Sequence, residues 1–150
     1  MIFIDSNMWC YYFDQRLPEH KHVREHMREI IQSEEIACNT IVIIEVAHYL
    51  VRNFNEETAR KKVTSLVNLR NLQISDFDRS LMRESLESLL EQYYTVGLGG
   101  RDATIVATLK LQNIHRIVTH DAVFKRLAPK VSFEVIDPIH QFPKPKNLQN

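Results

Sequence analysis

Four carboxylates in this 150-residue chain stand where they could do chemistry: Asp5, Glu45, Asp102 and Asp121. Asp5 ends the apolar run Ile2-Phe3-Ile4 and precedes Ser6 and Asn7, small polar residues that suit a helix start. Asp102 follows Gly99-Gly100-Arg101, and Asp121 follows Ile117-Val118-Thr119-His120. Taken singly, each of these three acids could be a helix cap or first-turn residue. Glu45 is different. It lies inside Ile41-Val42-Ile43-Ile44-Glu45-Val46-Ala47, where no helix end can use it, and an isolated buried carboxylate is costly. A salt-bridged or snorkelling Glu is one resolution. Convergence of all four acids on a shared cation is the other. Carboxylates in one pocket raise one another's pKa, and a divalent ion removes that conflict. Oxygen ligands, with no Cys or His at ligand spacing, favour Mg²⁺ or Mn²⁺ over zinc. Such an ion lowers the pKa of water for in-line attack and clamps phosphate oxygens.

The elements that must deliver these acids alternate between strand and helix. Ile2 to Ile4 reads as a strand buried on both faces, as in a parallel sheet. Ile36-Ala37-Cys38, Leu72 to Ser75, Arg116 to Thr119 and Phe133 to Ile136 read as further strands. Helices are expected over Met8 to Phe13, from Leu17-Pro18-Glu19 onward, and over Thr40 to Arg52. Another follows an Asn55 cap, and one follows an Asp78 cap with Met82, Leu86, Leu89, Leu90 and Tyr93 on one face. The last two run from Arg101 to about Leu111 and from Phe124 to Leu127. This alternation predicts a three-layer α/β/α sandwich around a mostly parallel sheet of four or five strands. In such a sheet the carboxyl ends of the strands face the ligand crevice, with Asp5 at its floor. The expected division is one domain over residues 1–140 and an extended, disordered tail over 141–150.

Composition excludes several classes. A hydrophobic content of 44% with 25% charged residues is that of a globular domain with a sizeable core. Lys plus Arg equals Asp plus Glu at 19 each, so net charge identifies no partner. Cys10 and Cys38 form no CxxC pair, which fits reduced thiols in a cytoplasm. A core strand starting at residue 2, with no basic segment before it, argues against a signal peptide. No apolar run, Ile41 to Ile44 among them, is long enough for a bilayer, so a cytoplasmic protein without a membrane partner is expected.

Four blocks together resemble the PIN domain family, and within it the VapC-type ribonuclease toxins. They are Ile2-Phe3-Ile4-Asp5-Ser6, Thr40 to Glu45, Gly97-Leu98-Gly99-Gly100-Arg101-Asp102-Ala103, and Ile117-Val118-Thr119-His120-Asp121-Ala122-Val123-Phe124. Each block is weak alone, whereas the ordered set, spanning residues 2 to 124, is fairly specific. Thr40 stands where many members have Ser, and Gly99-Gly100-Arg101 is more flexible and more basic than usual. The resemblance implies that Asp5 and Asp102 ligate Mg²⁺ or Mn²⁺ directly, and that Asp121 does so directly or through water. Glu45 would bind a second metal or orient the attacking water, while Ser6 and Thr119 would fix carboxylate rotamers. It implies cleavage of single-stranded or loop RNA by water, leaving a 5′-phosphate. It further implies a small antitoxin partner and a homodimer. The competing readings are a non-catalytic PIN-like module that binds RNA or protein, and a stand-alone RNA-processing nuclease. A phosphotransfer domain fits poorly, because Asn7 stands where the haloacid-dehalogenase pattern needs a second Asp, and a response receiver's paired acids are missing.

Residues 101–130 hold six basic residues (Arg101, Lys110, Arg116, Lys125, Arg126, Lys130) against two acids, a local excess suited to phosphate. Arg101 and Lys125, nearest the proposed ligands, are the expected nucleic-acid contacts. His22 and His26 have i, i+4 spacing but no third ligand, and are expected to be solvated. His120 borders Asp121 and could touch substrate. Trp9, Tyr11, Tyr12 and Phe13 suit a core or dimer contact better than base stacking, and Asp137 before Pro138 suits a turn.

Overall fold

The computed structural model describes residues 1–139; the expected tail, 141–150, lies outside them. Among the described residues, five strands form one all-parallel sheet in the order β3-β2-β1-β4-β5. They are β1 (Ile2–Ile4), β2 (Ile36–Asn39), β3 (Leu72–Ser75), β4 (Arg116–Val118) and β5 (Glu134–Ile136). Every residue of β1 is buried, as its unbroken apolar run requires of a strand covered on both faces. The register places Phe3 beside Ala37 on one side and Ile117 on the other.

The connecting helices are α1 (Ser6–Phe13), α2 (His20–Ser33), α3 (Thr40–Asn53), α4 (Glu56–Val67), α5 (Arg79–Val96), α6 (Gly100–Leu111) and α7 (Ala122–Leu127). From β1 the chain steps outward through β2 to β3, then returns to the other side of β1 for β4 and β5. Right-handed crossovers running in opposite directions put their helices on opposite faces, giving the expected three layers. Accordingly α1 packs on α2 and α3, and α3 on α4, while α5 packs on α6 and α7. The direction reverses between β1 and β4, where an open α/β sheet leaves a crevice at its carboxyl edge.

Most helix starts follow from side-chain caps. Asp5, Asn39, Asn55, Asp78 and Asp121 each accept a bond from a backbone N–H of the helix they precede. The Ser6 start extends α1 two residues beyond the expected Met8. Trp9 is fully buried and stacks on Phe13 with ring centroids 6.1 Å apart, so the aromatic cluster belongs to the core. Asp14, also buried, takes two bonds from the Arg16 guanidinium at 2.8 and 2.7 Å and one from the Tyr49 hydroxyl at 2.7 Å. The Arg16 bond holds its carboxyl well below the usual range, and the Tyr49 bond ties the end of α1 to α3.

The apolar face read on α5 is not a core face. Met82, Leu86, Leu90 and Tyr93 are exposed, and only Leu89 of that set packs on the core. The helix is buried through Leu81, Ser85, Ser88 and Val96. Both serines are buried, and Ser88 Oγ meets Lys110 Nζ of α6 at 3.1 Å where α5 packs on α6. Both cysteines are free, as expected, and no helix among the described residues is long and apolar enough to cross a membrane.

Candidate active site

Asp5 and Asp121 are carried on the seam between β1 and β4, the reversal point of the sheet. Asp5 continues β1 and donates its N–H to Val118 O at 3.1 Å, so its side chain emerges at the carboxyl edge. Four donors fix that carboxylate. Oδ1 accepts from Ser6 N at 2.6 Å and Ser6 Oγ at 3.3 Å; Oδ2 accepts from Thr119 Oγ1 at 2.7 Å and Asn7 Nδ2 at 3.0 Å. Burial nevertheless pushes the Asp5 carboxyl up to about 6, with Asp102 adding to the rise and the hydrogen bonds opposing it. Thr119, fully buried after β4, also accepts from Asp121 N at 3.1 Å and so holds the two acid-bearing loops together. Asp121 caps α7 through Val123 N at 2.8 Å. For Asp5 and Asp121 the helix-cap reading is therefore correct as a local description.

Asp102 caps nothing. It sits in the first turn of α6, whose N-cap is Gly99, and it is 14% exposed. A Cβ on Gly99 would lie 3.3 Å from Asp102 Oδ2, so glycine there leaves the carboxylate room. Desolvation raises the Asp102 pKa; Arg101 opposes the rise, while Asp121 and Glu45 reinforce it. Glu45, on α3, is tied to the same place by Arg101: Arg101 Nη1 to Glu45 Oε1 is 2.5 Å and Nη2 to Asp102 Oδ1 is 3.5 Å. The salt-bridged alternative for Glu45 is thus realised, by a residue flanking another of the acids. Asp5, Glu45, Asp102 and Asp121 form one electrostatic group with Arg101 within it.

Asn39 escaped the sequence reading. Completely buried at the end of β2, it caps α3 through Val42 N at 2.9 Å. Its Nδ2 reaches Thr104 O at 3.2 Å and Thr108 Oγ1 at 3.0 Å on α6. One amide therefore sets the spacing of the helices that carry Glu45 and Asp102. The available signal was a capping Asn directly before Thr40, where only the Thr drew notice.

The basic excess of residues 101–130 is largely neutralised by acids from elsewhere in the chain. Arg101 pairs with Glu45, Lys110 with Glu84, Arg116 with Glu34, and Lys125 with Asp137 at 2.5 Å. Asp137 is more than a turn residue. It is only 6% exposed, with His120 Nδ1 at 3.0 Å from Oδ2, and its Oδ1 accepts from Ile139 N at 2.9 Å. Burial raises the Asp137 pKa, but the bonds from Lys125 and His120 outweigh it and leave the carboxyl lowered. His26 departs from the solvated reading, since its Nε2 is buried without a hydrogen-bond partner.

Among the described residues, no three His, Cys, Asp or Glu side chains are drawn together as a ready metal cage. The donors nonetheless suit a hard cation: all are oxygens, and Glu45 Oε2 and Asn7 Oδ1 are buried with no hydrogen-bond partner. An orphaned buried oxygen is costly, and a cation is one partner that satisfies it.

Comparison with known proteins agrees with the fold. No curated protein matches the chain significantly by sequence. VapBC2 from Rickettsia felis, solved bound to a promoter DNA fragment, superposes with a TM-score of 0.68 at 20% identity, over 91% of this chain and 98% of that one. Mycobacterium tuberculosis VapC20, described as a Sarcin-Ricin loop cleaving toxin, gives 0.69 at 16% identity, over 83% and 93%. FitAcB from Neisseria gonorrhoeae gives 0.69 at 18% identity, over 93% and 99%. At these identities the likeness establishes the fold. The PIN domain profile matches residues 2–130, which takes in all four acids and nearly the whole described chain, and the protein belongs to the PIN domain family.

Proposed function

We propose that this protein is a Mg²⁺- or Mn²⁺-dependent endoribonuclease of the VapC type, the toxin of a toxin–antitoxin pair. The observation that carries the reading is the electrostatic grouping of Asp5, Glu45, Asp102 and Asp121 at the sheet's reversal point, two of them with no role as a helix cap. Membership of the PIN family and similarity to solved VapBC and FitAB toxin–antitoxin proteins support it.

Asp5 and Asp102 would hold the ion, with Asp121 completing the set and Glu45 binding a second ion or orienting the attacking water. When bound, the ion supplies a lowered pKa for that water and neutralises charge on the scissile phosphate. The chain's own part is to pre-set the ligands. Ser6, Asn7 and Thr119 fix the Asp5 carboxylate before any ion arrives, and Asn39 fixes the spacing of α3 and α6. Arg101 and Lys125 would meet the RNA backbone, each exchanging its present carboxylate for a phosphate. A small antitoxin is the expected protein partner, as in the solved relatives. The exposed α5 ridge supports a homodimer.

The test is cleavage of single-stranded RNA by purified protein with Mg²⁺ or Mn²⁺. Activity should vanish with EDTA and in Asp5→Asn and Asp102→Asn, with folding retained. A folded protein that cleaves no RNA under any metal would favour the non-catalytic module, to which the caps at Asp5 and Asp121 lend some support. Cleavage that persists in both variants would remove the assignment of these acids.

A further inference from the structure

We propose that Arg101 is a built-in competitor for the divalent cation: its guanidinium offsets part of the negative charge of the acidic cleft in the metal-free protein and must leave Glu45 and Asp102 before an ion can bind them. The inference rests on the proposed metal site and adds a device that regulates it.

Position argues first. Arg101 stands in the first turn of α6, where the helix dipole disfavours a cation, so its own helix gives it no reason to be there. Its partners do. It reaches Glu45 on α3 and Asp102 on its own turn, joining two of the proposed ligands through one guanidinium. Exposure argues next. The Arg101 side chain is 51% exposed, against 23% for Glu45 and 14% for Asp102. The arm therefore lies over recessed acids and can swing away without unpacking the core. The pairing is also incomplete, because Glu45 Oε2 keeps no hydrogen-bond partner. A cation between the acids would satisfy what the guanidinium leaves open. Arginine stays charged at every working pH, so only displacement can clear the cleft. A displaced guanidinium at the mouth of the cleft is a planar fork suited to phosphate.

The experiment is calorimetric titration of the EDTA-stripped full chain with Mn²⁺, comparing wild type with Arg101→Ala and Arg101→Gln. Removing a unit charge a few ångström from the ion should tighten Mn²⁺ binding by roughly tenfold in both variants. Mn²⁺ should also raise their melting temperatures by more than it raises that of wild type. Equal or weaker Mn²⁺ affinity in both folded variants, beside clear binding by wild type, overturns the competitor role and leaves the metal site standing. Binding by none of the three proteins overturns the proposed metal site and this inference with it.

Discussion

Thr119 Oγ1 donates to Asp5 Oδ2 at 2.7 Å across 114 residues of sequence, and the same oxygen accepts the N–H of Asp121 at 3.1 Å. One buried hydroxyl thus joins the β1 and β4 ends of the crevice. Thr119→Val keeps the shape and removes the hydroxyl, leaving Asp121 N without that acceptor. The variant should lose about 1–3 kcal/mol in urea denaturation, the usual cost of an unsatisfied buried group. Thr119→Ser should recover most of the loss. A valine variant as stable as wild type would mean that the hydroxyl does not hold the seam.

Asp5 gives the metal-free protein a signed pH dependence. Its folded pKa, about 6, lies above the reference value of 3.8. Its contribution to stability is therefore fully present below the reference value and is lost as pH rises through the folded one. Asp5→Asn lacks this titration, so in EDTA the variant should gain on wild type between about pH 4 and pH 7. Melting curves across that range measure the gap. A gap that stays constant would show that burial does not perturb the carboxyl.

Asn39→Ala should cost about 2 kcal/mol or more, since it removes a buried helix cap together with the bonds from Asn39 Nδ2 to Thr104 and Thr108 on α6. RNA cleavage should fall further than stability alone explains, because α3 and α6 lose their common spacer. Activity measured well below the melting temperature separates the two effects. Wild-type activity there would deny Asn39 its spacing role.

Much of the fold was legible because local signals agreed. The apolar run at Ile2–Ile4, the caps at Asn55 and Asp78, and the alternation of strand with helix all point to one parallel sheet. Glu45 was legible as a carboxylate in need of a partner, because it lies inside an apolar run, and Arg101 supplies that partner. What stayed hidden was long-range pairing. Glu34, Glu84 and Asp137 neutralise Arg116, Lys110 and Lys125, and no count within a window of sequence can see them. The α5 stripe misled for a related reason. Periodicity locates an apolar face without telling whether the chain itself covers it, and here Ser85 and Ser88 are buried while Leu86 and Leu90 face solvent.

That exposed stripe carries its own prediction. Leu86 is 51% exposed and Leu90 68%, with Met82, Tyr93 and Tyr94 beside them on α5. Apolar surface of this kind is commonly covered by a partner, and in the proposed homodimer a second copy of the chain would cover it. Leu86→Asp and Leu90→Asp should each convert a dimer to a monomer in sedimentation, without a large change in monomer stability. A wild-type protein that remains monomeric at high concentration would contradict the dimer.

The most direct test of the central claim is anomalous scattering from crystals soaked in Mn²⁺. A peak bonded to the carboxylates of Asp5 and Asp102, with the Arg101 side chain turned out of the cleft, is the expected result. No peak there at saturating Mn²⁺, or one held by other residues, would contradict the account.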